Sequence, residues 1–73
     1  MATIKSQYLW VTPTGHVVDL RECRVTHEQV TPYLVEHIVH YSMDGRSVHE
    51  VLGQNNYEQL AWQYNAIFGK NIS

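Results

Sequence analysis

A chain of 73 residues, 44% hydrophobic and 16% charged with a net charge of −2, suits one domain whose core buries only about 60% of the unfolded surface. The hydrophobic share excludes intrinsic disorder. The scattered basic residues Lys5, Arg21, Arg24, Arg46 and Lys70 form no phosphate-neutralising stripe, which disfavours direct nucleic-acid binding.

One cysteine, Cys23, leaves no intramolecular disulfide to form. Residues 1–7 lack the continuous apolar stretch of a signal peptide, and no segment approaches the ~20 apolar residues that span a bilayer. The expected location is cytoplasmic, with no membrane partner.

Residues 8–12, Tyr-Leu-Trp-Val-Thr, are rich in aromatic and β-branched side chains and predict a strand. Pro13-Thr14-Gly15 then predicts a three-residue turn, with Gly15 left-handed at a bulge, leading to a second strand over 16–20. In that register Thr12 opposes His16, Trp10 opposes Val18 and Tyr8 opposes Leu20. A two-residue turn would instead place Leu9 opposite Val18 and exchange the faces.

Residues 21–25 form a connection or a short extra strand. Thr26-His27-Glu28-Gln29 fits a capping box, and Thr31-Pro32 is a further helix start, so a helix is expected over 32–43. Leu34, Ile38 and Tyr41 recur at i, i+4, i+7, flanked by Val35 and Val39, and Asp44-Gly45 supplies a left-handed cap. Ser47-Val48-His49-Glu50 is another capping box, predicting a short helix that stops at Gly53. Asn55 or Asn56 caps a last helix to about Phe68, its apolar face Tyr57, Leu60, Ala61, Tyr64 and Phe68 and its terminator Gly69. The fold class this implies is α+β: an N-terminal β-hairpin packed against two or three helices.

Neither a catalytic nor a metal-site signature emerges, and no cofactor is expected. His37 and His40, at i, i+3 on the expected helix, could share a face, with Glu36 and His49 as further ligands. Zinc normally takes three or four protein ligands, and no spacing fixes their geometry. Cys23 lies between Arg21 and Arg24, which would lower its pKa, and beside Glu22, which opposes them; no oxyanion loop accompanies it. The stretch 47–62 has the outline of a DNA-binding helix-turn-helix about Gly53, with Gln54, Asn55, Asn56, Gln59 and Gln63 to read bases. It contains no Lys or Arg while carrying Glu50 and Glu58, so a plain helical hairpin is the better reading.

The hairpin carries the functional expectation. Its first strand is apolar on both faces, and a two-stranded hairpin buries only one of them. With Tyr8, Trp10, Val18 and Leu20 turned inward, Leu9, Val11 and Val17 are left exposed with Asp19, a surface suited to a protein partner. Arg21 and Arg24 nearby would give polar rim contacts. The alternatives are that the other helices wrap this second face or that a homodimer covers it.

Length and the order of features give the chain a wider likeness. Ser6-Gln7-Tyr8-Leu9-Trp10-Val11, then Thr26-His27-Glu28-Gln29-Val30-Thr31-Pro32 and the closing aromatic helix, together resemble the small bacteriophage-encoded regulators that bind bacterial RNA polymerase, of the type carried by a Xanthomonas phage. The resemblance covers the whole chain without a shared diagnostic motif, so no functional residue is carried over from it. It implies a non-enzymatic transcription regulator in the bacterial host cell that binds the largest polymerase subunits, inhibits initiation at host promoters and suppresses termination. An inhibitor of another bacterial defence or nucleic-acid machine fits the composition equally.

Overall fold

The computed structural model describes residues 8–72; the segment read above as carrying no signal peptide, and Ser6-Gln7 of the resemblance, lie outside the described residues. Among the described residues five strands precede a single helix: β1 Leu9–Val11, β2 Val17–Asp19, β3 Arg24–Thr31, β4 Leu34–Met43, β5 Arg46–Leu52 and α1 Gln54–Phe68. They form two antiparallel sheets, β1-β2 and β3-β4-β5. The fold is therefore mostly β, and the expected hairpin on two or three helices is overturned.

The first hairpin forms in the three-residue register. Leu9 faces Asp19, Trp10 faces Val18 and Val11 faces Val17. The Thr12 N–H donates to the His16 carbonyl at 2.7 Å and the Leu20 N–H to the Tyr8 carbonyl at 2.7 Å. Gly15 takes φ 91°, the left-handed value that a side chain would resist.

The segment expected as a helix over 32–43 is strand β4, pairing β3 on one side and β5 on the other. Its stripe of Leu34, Ile38 and Tyr41 fits a helical period, but in a strand Tyr41 falls on the face opposite Leu34 and Ile38. Val39 and Tyr41 are buried, while Ile38 and His40 between and beside them are not. Asp44 and Gly45, at φ 53° and 76°, join the paired Met43 and Arg46 in the two-residue geometry that a right-handed twist demands. A Schellman-type cap and a hairpin turn ask for the same left-handed residue, and the β-branched flanks decide for the turn. Pro32 likewise starts no helix: with Tyr33 it links Thr31 to Leu34, and a register shift at Val30 accompanies the turn.

Both inner capping boxes are strand residues. Thr26 sits 2.7 Å from His40 Nε2 instead of capping a helix, and Ser47-Val48-His49-Glu50 lies within β5, where Val48, Glu50 and Leu52 turn inward. With Arg46–Leu52 a strand, the helix-turn-helix outline at 47–62 is also withdrawn.

Helix α1 closes the molecule. Its N-cap is Gly53, with no side-chain cap, so Asn55 and Asn56 belong to the first turn. Gly69 ends it at φ 70°, donating to the Asn65 carbonyl. Leu60 is its fully buried residue, and Tyr57, Ala61, Tyr64, Ile67 and Phe68 pack around the core of Trp10, Val18, Leu20, Val25, Val39, Tyr41, Leu52, Leu60 and Ile72. Hairpin and helix thus share one face of the three-stranded sheet. The opposite face, with Arg24, Thr26, Ile38, His40, His49 and Val51, is left open by strand alternation.

Candidate functional site

The β1-β2 hairpin sorts its side chains as a half-buried ribbon should. Trp10, Val18 and Leu20 are at most 7% exposed, whereas Leu9, Val11 and Val17 are 42%, 58% and 57% exposed. Val11 and Val17 lie directly opposite each other and Leu9 is two residues along the same strand face, so the three make one apolar patch. Burying all three against a partner would remove them from water at about 25 cal/mol per Å².

Asp19, opposite Leu9, borders the patch and is already engaged. Arg21 Nε and Nη2 donate to its carboxylate at 3.0 and 2.6 Å, joined by the Arg21 N–H at 2.9 Å. Those hydrogen bonds hold the Asp19 carboxyl below its ordinary range and raise Arg21 above its own. The guanidinium also lies 4.3 Å over the Tyr8 ring, a cation–π arrangement. Arg24 departs from the hairpin: it stands on the open face of β3 opposite His40, which in turn opposes His49. Arg21 and Arg24 meet only around a shallow depression of about 340 Å³ whose lining includes Cys23, His40, Ser47 and His49. Burial, with Arg24 and His49 beside it, lowers the pKa of His40.

The hairpin is fixed to the large sheet by a polar clamp that the sequence reading missed. Glu50, its side chain 9% exposed, accepts hydrogen bonds from the Tyr41 hydroxyl, from the Thr14 hydroxyl at 2.8 Å and from the Thr14 N–H at 3.3 Å. Because the Tyr41 O–H donates to Glu50, the contact at 2.8 Å between His16 Nδ1 and Tyr41 has the imidazole as donor. Burial pushes the Glu50 carboxyl up, but hydrogen bonds from Tyr41, Thr14 and Thr12 outweigh it and hold the pKa below its ordinary value. Burial, then the neighbouring Glu50, raises the Tyr41 phenol. The clamp presents the outer face of the hairpin on a rigid mount.

A second apolar surface also went unforeseen. Residues 27–35, at the far end of the β3-β4 hairpin, are all exposed, among them Val30 at 49%, Tyr33 at 98% and Leu34 at 51%. Trp62 on α1 is 76% exposed. The expected helix over 32–43 had hidden the tip by assigning Leu34 and Val35 to a core stripe.

The remaining candidates separate. His37 and His40, expected on one helical face, fall on opposite faces of β4; His37 is instead paired with His27 across β3. Among the described residues no three His, Cys, Asp or Glu side chains gather where they could hold a metal ion. Cys23 is half-buried, and burial pushes its thiol up to about 11; the flanking arginines do not activate it. Among the described residues no helix is long and apolar enough to cross a membrane. Comparison of the chain with protein-family models, with curated proteins and with solved structures finds no match.

Proposed function

We propose that the protein is a non-enzymatic regulator that works in the bacterial cytoplasm by binding another protein through the outer face of its β1-β2 hairpin. The observation that carries this reading is the uncovered cluster of Leu9, Val11 and Val17 on a hairpin otherwise anchored by Trp10, Val18 and the Glu50 clamp. Contiguous apolar side chains on a rigid mount lower the ordering cost of association.

For the partner, bacterial RNA polymerase is the proposal, through its largest subunits, with inhibition of initiation at host promoters and suppression of termination as the outcome. The support for this choice is the resemblance of the whole chain to phage-encoded polymerase regulators. Transcription by purified bacterial polymerase on a template with a host promoter and a terminator tests it. Added protein should reduce promoter-dependent transcripts and raise read-through at the terminator. Unchanged transcript levels at saturating protein would reject polymerase as the target and leave another bacterial nucleic-acid machine as the partner to seek.

A further inference from the structure

We propose that His27 and His37 form a two-histidine site for a divalent transition-metal ion of the zinc, nickel or copper class. The two residues are directly paired across β3 and β4, which sets their Cβ atoms about 5 Å apart. Their Nδ1 atoms converge to 2.8 Å, with the ring planes at 89°.

The surroundings orient the pair as metal-binding imidazoles are oriented. His37 Nε2 is 3.2 Å from Gln54 Oε1, and Gln54 Nε2 donates to Glu58 at 3.1 Å. His37 therefore carries its proton on Nε2 and turns a lone pair toward His27 from Nδ1. An N–H held by an outer partner is the usual support of a ligating histidine. Tyr57 fixes both rings, stacked on His37 at 3.8 Å and edge-on to His27 at 5.5 Å.

Without metal, the His27 Nδ1–H fills the gap between the two nitrogens by donating to His37. An ion takes that proton's place once His27 shifts its proton from Nδ1 to Nε2, both rings staying neutral. Metal–nitrogen bonds of about 2.0–2.1 Å fit nitrogens 2.8 Å apart at an angle of about 85–90°, and a small swing of the exposed His27 ring opens it further. Nitrogen donors select this class of ion over magnesium or calcium, which take oxygen ligands. With two protein ligands the remaining positions go to water, so the ion exchanges freely. Bound there, it ties β3 to β4 and, through Gln54, to the start of α1.

Calorimetric titration of the tag-free protein with zinc chloride, in a buffer that does not chelate, tests the site. One equivalent should bind to the wild type, with affinity at least tenfold weaker in His27→Gln and in His37→Gln. His40→Gln, on the opposite sheet face, should leave binding unchanged. Ring-proton NMR of the wild type gives an independent reading that needs no variant: zinc should first shift the His27 and His37 signals. No saturable binding, retention in either His27→Gln or His37→Gln, or first shifts at other histidines would overturn the proposal.

Discussion

Replacing Glu50 by alanine should loosen the β1-β2 hairpin from the large sheet and cost the fold about 3 kcal/mol. The carboxylate accepts from the Tyr41 hydroxyl and twice from Thr14. Hydrogen bonds to a charged group contribute about 1.5–3 kcal/mol each, and relaxation recovers part of the sum. Tyr41 keeps His16 as a partner, which limits the loss. The whole domain should be stable by only about 4–11 kcal/mol, so the effect is large. Urea unfolding followed by tryptophan fluorescence measures it, with a midpoint shift of roughly 2–3 M at the m-value of a small domain. Glu50→Gln, which keeps an acceptor but no charge, should lose about half as much. The pH dependence has a definite sign. The folded pKa of Glu50 lies below its ordinary value of 4.5, so the contribution is complete above pH 4.5 and fades as pH falls through the lowered folded value. Glu50→Gln should lack that part of the acid slope. A Glu50→Ala variant within about 0.5 kcal/mol of wild type, with the same acid slope, would refute the clamp.

Trp10, 7% exposed at the centre of the core, should cost about 3–5 kcal/mol when replaced by alanine, read by the same urea titration. The Cys23 thiol, raised to about 11 by burial, should react slowly with a disulfide reagent at pH 8 and speed up sharply in denaturing urea; fast labelling of the native protein would contradict its burial.

What the sequence disclosed depended on how far each signal was local. The first hairpin was legible because Pro13-Thr14-Gly15 specifies a turn, the turn specifies a register, and the register sorts Trp10 and Val18 from Leu9, Val11 and Val17. The last helix was legible from its spacing and Gly69, although Gly53, not Asn55 or Asn56, precedes it. The middle was misread because Asp44-Gly45 serves a helix end or a hairpin turn equally well, and Leu34, Ile38 and Tyr41 fit a helical period although β4 divides them between its two faces. Val35, Ile38 and Val39, all β-branched, together with the alternation of Val39 and Tyr41, were the signals that favour a strand. The Glu50 clamp and the His27–His37 pair were not legible at all. The histidine pair is made by the pairing of β3 with β4, and the clamp by packing of the first hairpin's turn on the large sheet beside Tyr41, so neither could be seen while 32–43 was taken as helix.

The central claim is that the outer hairpin face docks a protein while the rest of the molecule supports it. Its most direct test is retention of purified bacterial RNA polymerase, and of proteins from a bacterial lysate, on the immobilised chain and on Leu9→Asp, Val11→Asp and Val17→Asp variants. Substitution at these exposed positions should leave the circular dichroism and urea midpoint close to wild type. The account predicts that the wild type retains polymerase and that each aspartate variant, still folded, releases it. Retention undiminished in all three folded variants would contradict the account and move the contact elsewhere, first to the exposed tip around Tyr33.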